Sequence, residues 1–233
     1  MSRLIAVLLV GIALALPIRA VAQNSPVVVE LFTSQGCYSC PPADEFLEEL
    51  AARDDVVPLA LHVDYWNRLG WVDTFSDEIY TDRQYRYANT FRNRSVWTPQ
   101  FVVQGRSFSR GNFREMVNEF VDRYQRSEPK VVLQASENGD TITINAVPIE
   151  RALPEMALII AHYTPEETVR IERGENAGKT ITYHNVVTDW RVVGKWRGQN
   201  PATLEVPLSA GRPLAVMIQT LPQGTILASQ VLR

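Results

Sequence analysis

The sequence predicts an α/β domain followed by an antiparallel all-β sandwich-like domain. Three observations carry that reading. Residues 27 to 63 run strand, helix, strand, and beyond Ser127-Glu128-Pro129 the apolar spacing changes from a period of 3.6 to a period of 2. The chain has 233 residues, 45% hydrophobic and 21% charged, enough to bury the cores of two such units. That composition excludes a disordered or collagen-like chain.

The first residues stand apart from the fold. Met1-Ser2-Arg3 carries one positive charge, Leu4 to Leu16 is an apolar run too short to span a bilayer comfortably, and Ala20-Val21-Ala22 is a small-x-small cleavage site. Residues 1–22 therefore read as a signal peptide, and the mature chain as a soluble exported protein, periplasmic or extracellular. Removing Arg3 and Arg19 with the leader leaves 21 basic against 26 acidic residues, a net charge of −5. That balance argues against a nucleic-acid partner.

The first domain is placed at 24–128. Val27 to Phe32 is nearly continuous in apolar residues, as a buried strand is, and Thr33-Ser34-Gln35-Gly36 ends it. Phe46, Leu47, Leu50 and Ala51 repeat at helical spacing, so 42–53 reads as an amphipathic helix. Val56 to Val63 is the next strand, parallel to the first by a right-handed crossover. Residues 64–97 form an aromatic-rich insertion with a helix from Ser76 to Phe91. A hairpin follows at Phe101-Val102-Val103, turning at Gly105, and a strongly periodic helix runs from Phe113 to Tyr124. The second domain is placed at 129–233. A turn at Glu137-Asn138-Gly139-Asp140 opens it, and strands are expected at 157–163, 168–172, 180–187, 202–206, 214–220 and 225–232.

The chain has two cysteines, Cys37 and Cys40. Three residues apart at a helix start, they lie close enough to pair with little backbone movement. Free amides and the positive dipole end of the helix favour a thiolate, the form that attacks disulfides; Asp44 and Glu45 oppose it. Cys37, on the loop side, is expected to be the more exposed sulfur and the nucleophile, with Cys40 resolving the mixed disulfide. A structural clip is the first competing reading, although closing a four-residue loop is worth only roughly 2 kcal/mol, against ~4.7 kcal/mol for a hundred-residue loop. A copper(I) or zinc site is the second, with His62, His162 and His184 the only histidines available.

Val29 to Asp44, His62-Val63-Asp64-Tyr65-Trp66, Thr98-Pro99-Gln100 and Arg173-Gly174-Glu175-Asn176-Ala177-Gly178 resemble an exported thioredoxin-like family of unknown function, domain of unknown function 1223. The resemblance spans most of the mature chain. It implies a thioredoxin-like first domain in which Cys37 and Cys40 form the dithiol and Pro99 stands in the cis-proline position, with Thr98 offering backbone groups to an extended substrate. Glu30 would be the buried proton relay, although it lies seven residues before Cys37 where the pattern has six. His62 and Trp66 would support the site, and Gly36 stands where a tryptophan is common. The 173–179 loop would pack between domains or recognise a ligand.

The expected function is exported thiol-disulfide exchange through Cys37 and Cys40, without an organic cofactor or metal. The partners would be exported protein thiols or disulfides and a separate electron donor or acceptor. The alternative is a copper(I)-binding or protein-binding module whose cysteine pair is not catalytic.

Overall fold

A computed structural model describes residues 25–208 and 211–233, so the leader read at 1–22 lies outside the described residues. The strands are β1 (Val27–Thr33), β2 (Val56–His62), β3 (Gln100–Val103), β4 (Ser107–Arg110), β5 (Val131–Asn138), β6 (Thr141–Pro148), β7 (Met156–Arg170), β8 (Thr180–Trp196), β9 (Ala202–Pro207), β10 (Leu214–Thr220) and β11 (Ile226–Leu232). The helices are α1 (Pro41–Ala51), α2 (Glu78–Thr90) and α3 (Arg114–Gln125), with one 3-10 turn at Asn67–Leu69.

The expected fold class is not what forms. Instead of an α/β thioredoxin-like unit followed by a separate sandwich, one eight-stranded sheet takes strands from both halves of the chain, in the order β11-β10-β7-β8-β2-β1-β3-β4. It is mixed and mostly antiparallel: β1 and β2 run parallel, β3 and β4 return antiparallel, and β7, β8, β10 and β11 are antiparallel to one another. A second sheet has only three strands, β5-β6-β9.

The physical reason lies in β7 and β8, of 15 and 17 residues, which pair along nearly their whole length. The β7 segment was expected as two short strands, 157–163 and 168–172, and β8 as 180–187 alone, because polar positions such as Thr164 and Glu166 interrupt the pattern. Those positions are solvated on a ribbon that continues through them. Long enough to outrun β10, β8 reaches β2 and pairs with it in parallel at Ala60 and Val186. The joint is short because β2 contains Pro58, which has no N–H to donate; the Asn185 side chain donates to the Pro58 carbonyl instead at 2.9 Å, with Asn185 in the left-handed region at φ 48°.

Strand alternation then sorts the cores. On one face Val28, Phe32, Leu59 and Leu61 join Ile159, Ala215 and Met217, under Tyr80 and Tyr87 of α2. On the other face Val29, Leu31 and Ala60 pack against Phe46 and Leu47 of α1 and Val117 and Val121 of α3. Further along that face Leu158, Ile160 and Val216 pack against Ile142 and Ile144 of the small sheet. Among the described residues no helix is long and apolar enough to cross a membrane.

Candidate functional site

The end of β1 and the start of α1 set the site. Cys40 is the N-cap of α1 with helical dihedrals, and Pro41 and Pro42 fill N1 and N2, where a missing N–H costs no intrahelical bond. Cys37 and Cys40 form a disulfide with their Cα atoms 5.4 Å apart. The Ser39 hydroxyl lies 3.5 Å from the Cys37 sulfur. The expected exposure of Cys37 is overturned: both cysteines are 0% exposed, while the two residues between them, Tyr38 and Ser39, face solvent.

Two distant segments bond to this cysteine loop. Asn176, in the loop between β7 and β8, donates both hydrogens of its amide, to the Gln35 carbonyl at 2.9 Å and the Cys37 carbonyl at 2.8 Å. The Glu175 carboxylate accepts from the Tyr38 N–H at 3.2 Å. From the 64–97 insertion, Trp71 donates to Gln35 Oε1 at 2.8 Å and Asp73 accepts from the Gln35 N–H at 2.7 Å.

Beneath the cysteines lies a buried ionisable cluster. Asp44 is one turn beyond Cys40, its N–H bonded to the Cys40 carbonyl at 3.1 Å, so the two side chains share a helix face. Thr33 and His62 are register partners at the ends of β1 and β2. Thr33 donates to Asp44 Oδ1 at 2.8 Å, and His62 Nδ1 pairs with Asp73 Oδ2 at 2.8 Å. Asp44 Oδ2, His62 Nε2 and the Tyr183 hydroxyl are buried without a protein partner, and the Tyr183 ring packs 5.0 Å from the His62 ring.

The electrostatics follow from this packing. Burial pushes the Asp44 carboxyl up to about 7, against the opposing pull of His62 and the Thr33 hydrogen bond. Burial disfavours protonated His62, but the Asp73 carboxylate and its hydrogen bond, helped by Asp44, outweigh it and raise His62 above its ordinary range. Burial works against ionised Asp73 as well, yet His62 and the backbone N–H groups of Gln35 and Phe75 hold it below the usual carboxylate range.

Glu30, expected as the relay, points the other way. It shares the strand face of Val28 and Phe32 and so turns away from α1 towards α2, where Arg83 holds it at 2.5 and 3.1 Å and the Tyr87 hydroxyl donates to it. A buried ion pair occupies the carboxylate, and Asp44 stands in the position expected of Glu30. The seven-residue spacing was the signal: one residue off in a strand reverses the face.

Thr98 and Pro99 precede β3, and their peptide bond is cis. Trp66 donates to the Thr98 hydroxyl at 2.8 Å, and a Cβ placed on Gly36 would lie 3.3 Å from Trp66 Cβ. Gly36 thus leaves room for Trp66 beside the cysteine loop. The structure brings Cys37, Cys40, His62, Trp66 and Thr98 into one neighbourhood and leaves Glu30 outside it. In the sequence Asp44 stands only as a charge opposing a thiolate, and Asp73 carries no local pattern. The Arg173 to Gly178 motif was the one available pointer to Asn176. Among the described residues no group of three or more His, Cys, Asp or Glu side chains is arranged to hold a metal ion.

Comparisons with known proteins agree with this architecture. A crystal structure of protein AGR_C_4864 from Agrobacterium tumefaciens is 34% identical, with a TM-score of 0.78, and covers 90% of this chain and 95% of that one. HBP35 of Porphyromonas gingivalis shares the fold at 14% identity and a TM-score of 0.56, over 90% of this chain and 75% of that one. No curated protein matches. The family model described as "Protein of unknown function (DUF1223)" matches residues 28–219, and the chain belongs to that family.

Proposed function

We propose that Cys37 and Cys40 are a reversible redox pair that exchanges disulfides with partner proteins in an exported compartment, a location supported by the leader-like pattern of residues 1–22. The observation that supports this most directly is Asp44. A disulfide that serves only as a clip has no use for a buried carboxyl that titrates near neutrality, and burying one is costly. An exchanging pair needs such a group, because the resolving thiol must lose its proton before it attacks and regain it on the return.

The step balances as follows. A partner thiolate attacks Cys37 Sγ; the new partner–Cys37 bond forms as the Cys37–Cys40 bond breaks, and Cys40 leaves as a thiolate that takes the Asp44 proton. A second partner thiol then displaces Cys37. The partner loses two electrons and becomes the disulfide; Cys37 takes the proton of the second partner thiol, and Asp44 regains from water the proton that the first partner thiol released on ionising. In reverse, Asp44 accepts the Cys40 proton and the partner disulfide is reduced, the cysteine pair being recharged by a separate dithiol donor. No organic cofactor enters either direction.

Burial of both sulfurs favours a second reading, a permanently closed clip in a protein-binding module. Trapping separates the two. A Cys40→Ser variant leaves Cys37 without its resolving partner, so exchange predicts mixed disulfides on Cys37 that gels show as reductant-sensitive adducts. Recovery of no adduct from the exported fraction, with Cys37 unreactive to alkylation in the folded variant, rejects exchange.

A further inference from the structure

The loop that carries Asn176 is built to close on the cysteine segment. It leaves β7 at Ile171, whose N–H bonds the Lys179 carbonyl at 2.9 Å while the Gly178 N–H bonds the Ile171 carbonyl at 2.8 Å, so the loop is pinched at its base and holds its own shape. Residues 172–175 and 177–179 are exposed; Asn176 alone is 0% exposed. Every polar group of its side chain is used, since Lys179 Nζ donates to its Oδ1 at 2.8 Å while its amide hydrogens go to Gln35 and Cys37. The approach is close: Gly174 is in the left-handed region at φ 78°, and a Cβ there would lie 3.3 Å from Trp71 Cβ. Lys179 sits 4.9 Å from the exposed Tyr38 ring.

Such a contact is strong in hydrogen bonds and poor in apolar burial. Loops of that kind open locally, below the free energy of global unfolding. The Cys37–Cys40 disulfide, in contrast, cannot be attacked while both sulfurs are enclosed.

We propose that the 172–179 loop is a latch over the disulfide, that Asn176 is the positioning residue that closes it, and that a partner thiol reaches Cys37 only when the loop is displaced. The inference rests on the exchange reading for its biological use, but the latch itself is testable with a small thiol. Thiolate of dithiothreitol attacks Cys37 Sγ, Cys40 leaves as a thiolate that takes a proton from its surroundings, and the second thiol of the reagent closes its own ring and displaces Cys37, so that the reagent gives up two electrons and the protein ends with two thiols.

The experiment follows reduction of the oxidised full chain over a wide range of dithiothreitol concentration, by quenching with a maleimide that adds mass to free cysteines. Asn176→Ala removes the two bonds to Gln35 and Cys37, and reduction is expected to accelerate by at least about tenfold. Glu175→Gln, which weakens only the exposed bond to Tyr38, should accelerate it a few-fold. Glu30→Gln destabilises the protein away from the loop and should leave the rate at the wild-type value. Equal rates for Asn176→Ala and wild type overturn the latch. Acceleration by Glu30→Gln matching that of Asn176→Ala overturns it too, because reduction then proceeds through global opening. The two readings fail separately. Mixed disulfides on Cys40→Ser with no effect of Asn176→Ala remove the latch alone, and a fast Asn176→Ala without mixed disulfides removes exchange alone.

Discussion

Replacing Asp44 with Asn tests the buried carboxyl from its energetics. A carboxyl raised from 3.8 to about 7 on folding favours the folded state in acid, where both states hold the proton, and loses that advantage as pH rises through the folded value. At about 1.4 kcal/mol per unit, the shift of roughly 3 units amounts to about 4 kcal/mol between strong acid and pH 8, of which about 2 kcal/mol is already gone by pH 5. Asp44 is fully buried, so solvent screening removes little of this. Asn keeps an oxygen to accept the Thr33 hydroxyl and carries no proton to lose. Urea unfolding of the oxidised protein at pH 5 and pH 8 should therefore show Asp44→Asn gaining about 2–3 kcal/mol on wild type between the two. A pH-independent difference would refute the claim that this carboxyl titrates in the folded protein. If Asp44 is the proton acceptor of Cys40, as proposed, exchange of this variant with a disulfide-containing peptide should slow by about a hundredfold near neutral pH.

Glu30→Gln should cost about 3–5 kcal/mol in urea unfolding, because Arg83 is left buried without its anion, while exchange per folded molecule stays at the wild-type rate. His62→Gln should destabilise most below about pH 6.5, since the raised histidine stabilises the fold while protonated; the penalty shrinks as pH rises through its folded value, which unfolding at pH 5.5 and pH 9 measures. Gly105→Ala should cost at least about 2 kcal/mol, because φ is 61° and the new Cβ would lie 2.3 Å from the Gly224 carbonyl; the thermal midpoint reads it.

Local structure was legible from the apolar pattern. The first strand follows from a nearly continuous apolar run, as burial on both faces gives, and α1 and α3 from apolar spacing at a period of 3.6; their observed bounds lie within two residues of the expected ones. The joining of the halves was not. It depends on Val186 meeting Ala60 across a joint 126 positions apart, which no local pattern encodes. Pro58 did carry a hint, since a proline inside a strand argues for an edge, and β2 is bonded to β8 by only one register pair. At the site, the Cys-x-x-Cys spacing and the two prolines located the disulfide. The acid was misassigned because Glu30 and Thr33 lie on opposite faces of one short strand, and only the position of Asp44 over Thr33 decides which face the cysteines share. Asn176, 139 positions from Cys37, was visible as a motif but not as a contact.

If Cys37 and Cys40 exchange disulfides as proposed, their bond opens and closes in the folded protein. Equilibration in glutathione buffers of graded potential, followed by alkylation and mass measurement of the free-thiol fraction, tests it directly. An exchanging pair should show a reversible two-electron transition with a midpoint above about −300 mV, the same from either direction, and an unchanged fold by circular dichroism. A pair that stays oxidised throughout that range, or that is reduced only as the fold is lost, contradicts it.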